Sequence, residues 1–491
     1  MTATQHVTAS TIDLVAGEPP QLVVSGEGTA PVELELVGSR LRLPALIAVD
    51  GERWTATIPL LSSRWGGPAL PPPSGRYRIG VAARGIVLPE AAFLRGLFRV
   101  AFEADDSGVV AEFSAPLADD EVGPENQARL EREYHAANPE PQNAVFFESF
   151  YGQNASCNPL AIARALAETR PDIARYWGVA DASVDVPLGG IAVIEGSREW
   201  WRIRAAARLI VINDWLRGRY RKRSHQKVLQ TWHGTMLKRL ALSRRRLGLR
   251  PALATLKERA RWSILLAQNS YAANIFRRSY AWLGPVWEEG YPRDDILVTG
   301  DAAAVRAKLG IADDVRVLLY APTWRDDRPD HVDHLDVASF AEQLGDGYVT
   351  LIRGHSRTLR PGEDVRGGGV VDVTSYPDIA ELFLVADALI TDYSSVMFDF
   401  SVTRKPIFFF TPDLDRYREV LRGFYFDLLA VAPGPVVRDS AELLELVRNP
   451  DAVAEEYRER YQAWRERFNP RDDGQAAQRV VDRILRDGLL D

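Results

Sequence analysis

The sequence predicts an α/β protein with two successive parallel-sheet units, preceded by an all-β, sandwich-like domain. Three observations carry this. Residues 11–115 hold short alternating segments between turn signals, apolar strands alternate with helical stretches from Asn143, and the second pattern restarts near Val298. With 491 residues, 46% of them hydrophobic, the chain is long enough to bury a core in each unit.

In the first region Val32-Glu33-Leu34-Glu35-Leu36 alternates strictly. Asp50-Gly51 is a tight-turn signal before Trp54-Thr55-Ala56-Thr57-Ile58, and Arg76 to Val81 alternates again after Pro71-Pro72-Pro73. Nothing there has catalytic spacing, so residues 1–120 are expected to form an accessory domain. A polar stretch from Asp119 through His135, partly helical in pattern, runs into Pro139-Glu140-Pro141 and places a linker at 121–142. Beyond it, Ala144 to Phe147, Ile191 to Ile194 and Leu209 to Ile212 read as buried strands of a unit spanning 143–297, with a helix from Asn158-Pro159 through Ala167. Val315 to Tyr320, Tyr348 to Arg353, Val370 to Val373, Ala388 to Thr391 and Ile407 to Phe410 supply the unit at 298–445. Residues 446–491, rich in Glu, Arg and Leu, read as helices. Ligands of such sheets bind beyond the carboxyl ends of the strands.

Composition narrows the class. A single cysteine, Cys157, excludes an intramolecular disulfide framework and a zinc cluster, and fits a reducing cytoplasm. Met1 to Ser10 lacks a basic start followed by an apolar run, and every apolar run ends well short of about 20 residues, so neither a signal peptide nor a membrane span is expected. Net charge is −7, yet between Arg217 and Arg261 fifteen basic residues are opposed by Glu258 alone. Arg244, Arg245, Arg246 and Arg250 lie among Leu237, Leu240, Leu242, Leu247, Leu249, Leu253 and Leu256, followed by Trp262, Ile264 and Leu265. That mixture suits a helix lying in an anionic lipid interface, and equally a solvated helix face packed on a core. No aromatic-stacking signature accompanies the charge, so nucleic acid is not an expected partner.

Four loops that follow strands carry chemistry. Gln230-Thr231-Trp232-His233-Gly234-Thr235, before Lys238, offers an imidazole able to act as a general base near neutral pH. In Tyr320 to Asp326, Arg325 is suited to fork onto phosphate oxygens. Arg353-Gly354-His355-Ser356-Arg357 places a histidine between guanidiniums. Thr391-Asp392-Tyr393-Ser394-Ser395 runs from a strand into a helix start, whose N–H groups and hydroxyls suit a diphosphate; plain N-capping is the alternative. Together these loops suit transfer at phosphorus, where a site positions a hydroxyl, neutralises a diphosphate and stabilises the leaving phosphate. No G-x-G-x-x-G follows a strand, no Walker A sequence is present, and no His/Asp/Glu cluster has metal spacing.

Over roughly residues 143–440 the chain resembles the CDP-glycerol glycerophosphotransferases, a family that includes teichoic acid primases and polymerases. The motifs are Phe147 to Gly152 through Asn158-Pro159, Gln230 to Lys238, Gly290-Tyr291-Pro292-Arg293-Asp294-Asp295, Tyr320 to Asp326, Thr391 to Phe400, and Arg422 to Asp427. The resemblance implies a GT-B-like pair of Rossmann-like domains with the site between them, and transfer of a polyol phosphate from CDP-glycerol or CDP-ribitol to a lipid-linked saccharide acceptor, releasing CMP. No tightly bound cofactor and no metal-site residues are expected, and the resemblance implies a peripheral place on the cytoplasmic face of the membrane. By this likeness His233 is the base and His355 a group on the donor diphosphate. Arg325, Arg353, Thr391, Ser394, Ser395 and Asp399 fall on the donor side, and Gly152, Asn158, Trp232, Gly234, Thr235 and Lys238 on the acceptor side. The chain departs from the family pattern at Met236 and Ser356, where Pro is common, and at Cys157, often Asp. A nucleotide-sugar glycosyltransferase and a non-catalytic polymer-binding protein are the alternatives.

Overall fold

Alternation makes the N-terminal sheets two-faced. Leu22 and Val24 of Gln21–Glu27 and Trp54, Ala56 and Ile58 of Arg53–Pro59 point into one core with Tyr77, Ile79, Phe98, Val100 and Phe113 from the facing sheet. The computed structural model describes residues 9–82, 85–105, 108–216, 219–244, 247–323, 335–354, 366–414 and 423–491. A four-stranded and a six-stranded antiparallel sheet form this sandwich. In place of the expected strand at Val32–Leu36 the strand is Glu35–Val37, and Val32 is 97% exposed. The sandwich is docked rather than free. The Ser74 amide donates to Asp181 Oδ2 (2.7 Å), Arg40 reaches Gln153 Oε1, and Trp65 meets Tyr376 edge-on at 5.4 Å.

The first α/β unit is a seven-stranded parallel sheet in the order Gly190–Ile194, Ala174–Val179, Gln142–Glu148, Ala207–Ile212, Lys227–Gln230, Ile264–Ala267, Val286–Glu288. Helices cover both faces, which is why its strands read as unbroken apolar runs. Ala144 and Phe146 enter one core with Ile210, Ile212 and Val228; Val145 and Phe147 enter the other with Leu209, Val211 and Leu229. The second unit repeats the order: Val370–Asp372, Tyr348–Ile352, Arg316–Ala321, Ala388–Thr391, Ile407–Phe410, Val436–Val437, with Arg366–Gly367 antiparallel at the edge. In each, the order reverses beside the unit's first strand, where a crevice opens at the carboxyl ends.

One feature differs from the sequence expectation. Ile264–Ala267 is a fully buried interior strand, so Trp262, Ile264 and Leu265 belong to the core and not to a lipid-facing surface. The helices expected at the C-terminal end are present and pack on both units. Trp464 and Phe468 of Arg458–Phe468 pack into the second unit, and Val480, Val481 and Ile484 of Ala476–Arg486 return to the first.

Candidate active site

His233 leaves the strand Lys227–Gln230 in a loop whose backbone is held almost atom by atom. Thr231 N and Oγ1 donate to the Ile212 carbonyl (2.7 and 3.0 Å), and the Gln230 side chain accepts from Trp232 N (2.9 Å). Asn158 Nδ2 donates to the carbonyls of Thr231 and Trp232, both at 3.2 Å. The imidazole stacks on Trp232 (centroids 5.2 Å, planes 9° apart), and Nδ1 lies 2.6 Å from the Asn213 carbonyl. A carbonyl only accepts, so Nδ1 carries the proton of the neutral ring and Nε2 its lone pair. Asn213 is itself fixed, its Oδ1 accepting from Phe150 N (2.8 Å).

Across the cleft, Asp392 accepts from Thr323 N (2.9 and 3.0 Å) and shapes the turn that follows Ala388–Thr391. Ser395 opens the helix Val396–Phe400 without a side-chain capping bond, so its hydroxyl is not occupied as an N-cap. The two loops touch: a Cβ on Gly234 would lie 2.9 Å from Ser395 Oγ, so only glycine admits this approach. Lys238 Nζ reaches Thr323 Oγ1 at 3.5 Å, also across the cleft.

Other predicted residues take supporting places. Gly152 has φ +74° and packs where a Cβ would meet Ala180 N at 2.9 Å, fixing the loop under Tyr151. Thr235 Oγ1 donates to Gln268 Oε1 (2.6 Å). Thr391 is buried and donates its hydroxyl to the Ala321 carbonyl (2.8 Å). Arg353 donates to the carbonyls of Val373 and Tyr376 (3.2 and 2.7 Å), and burial pushes its pKa down to about 10 despite Asp378. Asp399 does not line the cleft: it is 2% exposed and accepts from Arg293 Nη2 at 2.6 Å. Arg244 and Arg250 are exposed, and Arg325, His355, Arg245 and Arg246 lie outside the described residues.

The sequence reading missed Asn213 and assigned no role to Arg293, although the run Ile212-Asn213-Asp214 at a strand end marks a loop start. Arg293 heads a buried polar network of Asp294, Asp399, Gln268 and Asp472. Gln268 Nε2 donates to Asp294 Oδ2 (3.1 Å) and Asp472 Oδ2 (2.9 Å). Burial works against the Arg293 charge, yet the carboxylate of Asp399 beside it holds the guanidinium well above its ordinary pKa. Asp294 is raised by burial and then by the Asp399 charge; Asp472, also by burial, is pushed up to about 7.

A carboxyl with an elevated folded-state pKa contributes stability that is complete below its unfolded pKa and is lost as pH climbs through the folded value. Asp294→Asn keeps the shape and has nothing to ionise. Its melting temperature is therefore expected to be at or below that of the wild type near about pH 5 and above it near about pH 9. Parallel melting curves across pH check this, and a difference that does not grow with pH would rule it out.

Two Rossmann-like sheets with these loops on facing carboxyl edges define a GT-B-like fold. The sequence pattern of the family described as CDP-Glycerol:Poly(glycerophosphate) glycerophosphotransferase matches residues 132–486, and the chain belongs to that family. It is 35% identical over 373 residues to the teichoic acid poly(glycerol phosphate) polymerase of Bacillus subtilis (strain 168), covering 71% of this chain and 49% of the relative. The chain thus spans about half the length of that polymerase. It is also 35% identical over 376 residues to the teichoic acid glycerol-phosphate transferase of Staphylococcus aureus (strain NCTC 8325 / PS 47), covering 70% of this chain and 93% of the relative. Among solved structures, that of the wall teichoic acid polymerase TagF superposes with a TM-score of 0.69 at 32% identity, covering 74% of this chain and 93% of that one. The N-terminal sandwich lies outside the family match.

Proposed function

We propose that the protein transfers a polyol phosphate, glycerol phosphate in the first instance, from a CDP-alcohol to a hydroxyl of a membrane-linked saccharide acceptor. CMP leaves, and the product extends a teichoic acid-like wall or capsular polymer. The observation that carries this is the tautomer at His233: with Nδ1 tied to the Asn213 carbonyl, Nε2 is a preformed base beside the Ser395 turn. In the proposed step Nε2 takes the acceptor hydroxyl proton and the oxygen attacks the glycerol-bearing phosphorus. The bond from that phosphorus to the bridging oxygen breaks, and CMP departs with that oxygen. Ser394 and Ser395 are assigned hydrogen bonds to the donor diphosphate, the family resemblance assigns His355 and Arg325 to the same side, and Lys238 is kept on the acceptor side. No tightly bound cofactor is proposed for the step.

The 35% identity to two glycerol-phosphate enzymes favours CDP-glycerol over CDP-ribitol. The test is CMP release on incubation with either CDP-alcohol and a lipid-linked saccharide acceptor analogue. Release of UDP or GDP from a nucleotide sugar instead would overturn the reading in favour of a glycosyltransferase.

The Ser394→Ala/Ser395→Ala variant is expected to raise the CDP-glycerol dissociation constant roughly tenfold or more, each hydroxyl contributing about 1 kcal/mol or somewhat more to a charged acceptor. Calorimetric titration measures it. Normal donor affinity with a lowered melting temperature would reduce the serines to a structural role.

A further inference from the structure

We propose that Arg293 is a positioning residue for the transfer: paired with Asp399 of the opposite unit, it holds the His233 backbone and so couples the base to the donor-side turn. This rests on the reading of His233 as the base.

Three successive carbonyls of the loop are held by side chains. Those of Thr231 and Trp232 accept from Asn158 Nδ2, and that of His233 accepts from Arg293 Nη1 at 2.9 Å. Asn158 Oδ1 in turn accepts from Arg293 N (3.1 Å), so both holders form one unit. The loop is thereby gripped through its carbonyls, while the imidazole is fixed separately by Asn213. Rotation of the peptide after His233 is limited by Arg293, and Arg293 is limited by what it binds on its other side.

That other side belongs to the second Rossmann unit. Nη2 meets Asp399 Oδ2 at 2.6 Å, with side-chain exposures of 6% and 2%. Nη1 also lies 3.2 Å from Cys157 Sγ. A guanidinium is planar, with donors fixed in a fork, so satisfying a carbonyl in one unit and a carboxylate in the other sets the distance between them; an ammonium is a point charge and does not. Asp399 sits in the short helix that Ser395 opens, and Gly234, next to His233, abuts that serine. One buried pair therefore sets both sides of the cleft: the base through its carbonyl, the donor-side hydroxyls through their helix. For stability alone, apolar groups of like volume serve a buried interface as well as a buried ion pair, so stability does not by itself account for charge here.

The experiment compares the wild type with Asp399→Asn, which keeps the acceptor and removes the charge, with Asp399→Glu, and with Arg293→Lys. Each is read by melting, by CMP-release kinetics and by the ring 1H–13C NMR correlation of His233, assigned with His233→Ala. Expected for Asp399→Asn are a kcat lowered about tenfold or more, a CDP-glycerol KM within about threefold of wild type, partial recovery in Asp399→Glu, and a shifted or broadened His233 ring signal. Unchanged kcat, a loss matched by an equal rise in KM, or an unmoved ring signal would overturn the proposal. If Asp399→Asn does not fold, Arg293→Lys is measured in its place, with the same expected changes and the same overturning results. The ring signal needs no turnover. Should the wild type release no CMP from CDP-glycerol, the function reading falls, and the NMR comparison still decides whether the pair positions His233.

Discussion

His233→Ala is expected to lower transfer by roughly 10²–10⁴-fold while leaving CDP-glycerol affinity nearly unchanged, the signature of a lost general base. The ring contributes Nε2 to the chemistry; its other nitrogen is held by the Asn213 carbonyl. Its partners, Asn213, Phe150 and Trp232, all lie in the first unit, and the donor-side hydroxyls of Ser394 and Ser395 come from the second. Truncation to Ala therefore removes the proton acceptor without touching the groups assigned to the diphosphate. His233→Gln is expected to be as inactive, since an amide has no basicity near neutral pH even where it keeps the hydrogen bond to Asn213. Rate and donor binding are measured separately, by CMP release under single-turnover conditions and by titration calorimetry. Turnover within a few-fold of wild type removes His233 from the mechanism, and a donor affinity that falls with the rate moves it to the donor side.

The parts of this molecule legible in its sequence share one property: their signal is local. Apolar runs bounded by turn residues mark the strands at 144–147, 209–212, 388–391 and 407–410, because strands covered on both faces are predominantly apolar. The loop with His233 and the turn with Ser395 are visible because each follows such a run directly. Partnerships between distant segments are not. Asp399 reads as a helix-start carboxylate beside hydroxyls, and its pairing with Arg293, 106 residues away, is set by how the two units meet. Thr391 reads as a phosphate hydroxyl, and its bond to the Ala321 carbonyl of the neighbouring strand has no signal in the sequence. Ile264–Ala267 is hidden for a different reason: four apolar residues after a leucine-rich basic stretch have the same period whether they lie in lipid or in a sheet.

Release from anionic membranes is the expected result of altering the helix Leu249–Arg259, the part of the basic segment that the fold leaves outward. Leu249 is 85% and Leu253 56% exposed, one helical turn apart, flanked by exposed Arg250 and Lys257. Glu258, the one acid of the segment, is 1% exposed on the opposite face, where its Oε1 accepts from Leu216 N at 2.6 Å and it pairs with Arg261. The outward face therefore carries leucines and cations with the acid turned inward, the composition that seats a helix among anionic headgroups. Docking through this face is the proposed means of reaching a lipid-linked acceptor; among the described residues no helix is long and apolar enough to cross a membrane. Each cation near the surface contributes about 1 kcal/mol and each inserted leucine about 1.5–3 kcal/mol. Leu249→Ser/Leu253→Ser/Arg250→Glu is accordingly expected to lose vesicle binding by roughly two orders of magnitude or more, with binding of the wild type weakening as salt rises. Arg244→Glu/Arg245→Glu/Arg246→Glu is expected to act in the same direction through charge alone. Both variants should lose activity on a lipid-linked acceptor and keep it on a short soluble one. Sedimentation with phosphatidylglycerol vesicles, and CMP release on the two acceptors, measure these effects. Wild-type sedimentation by both variants, or an equal loss of activity on both acceptors, would return the helix to a purely structural role.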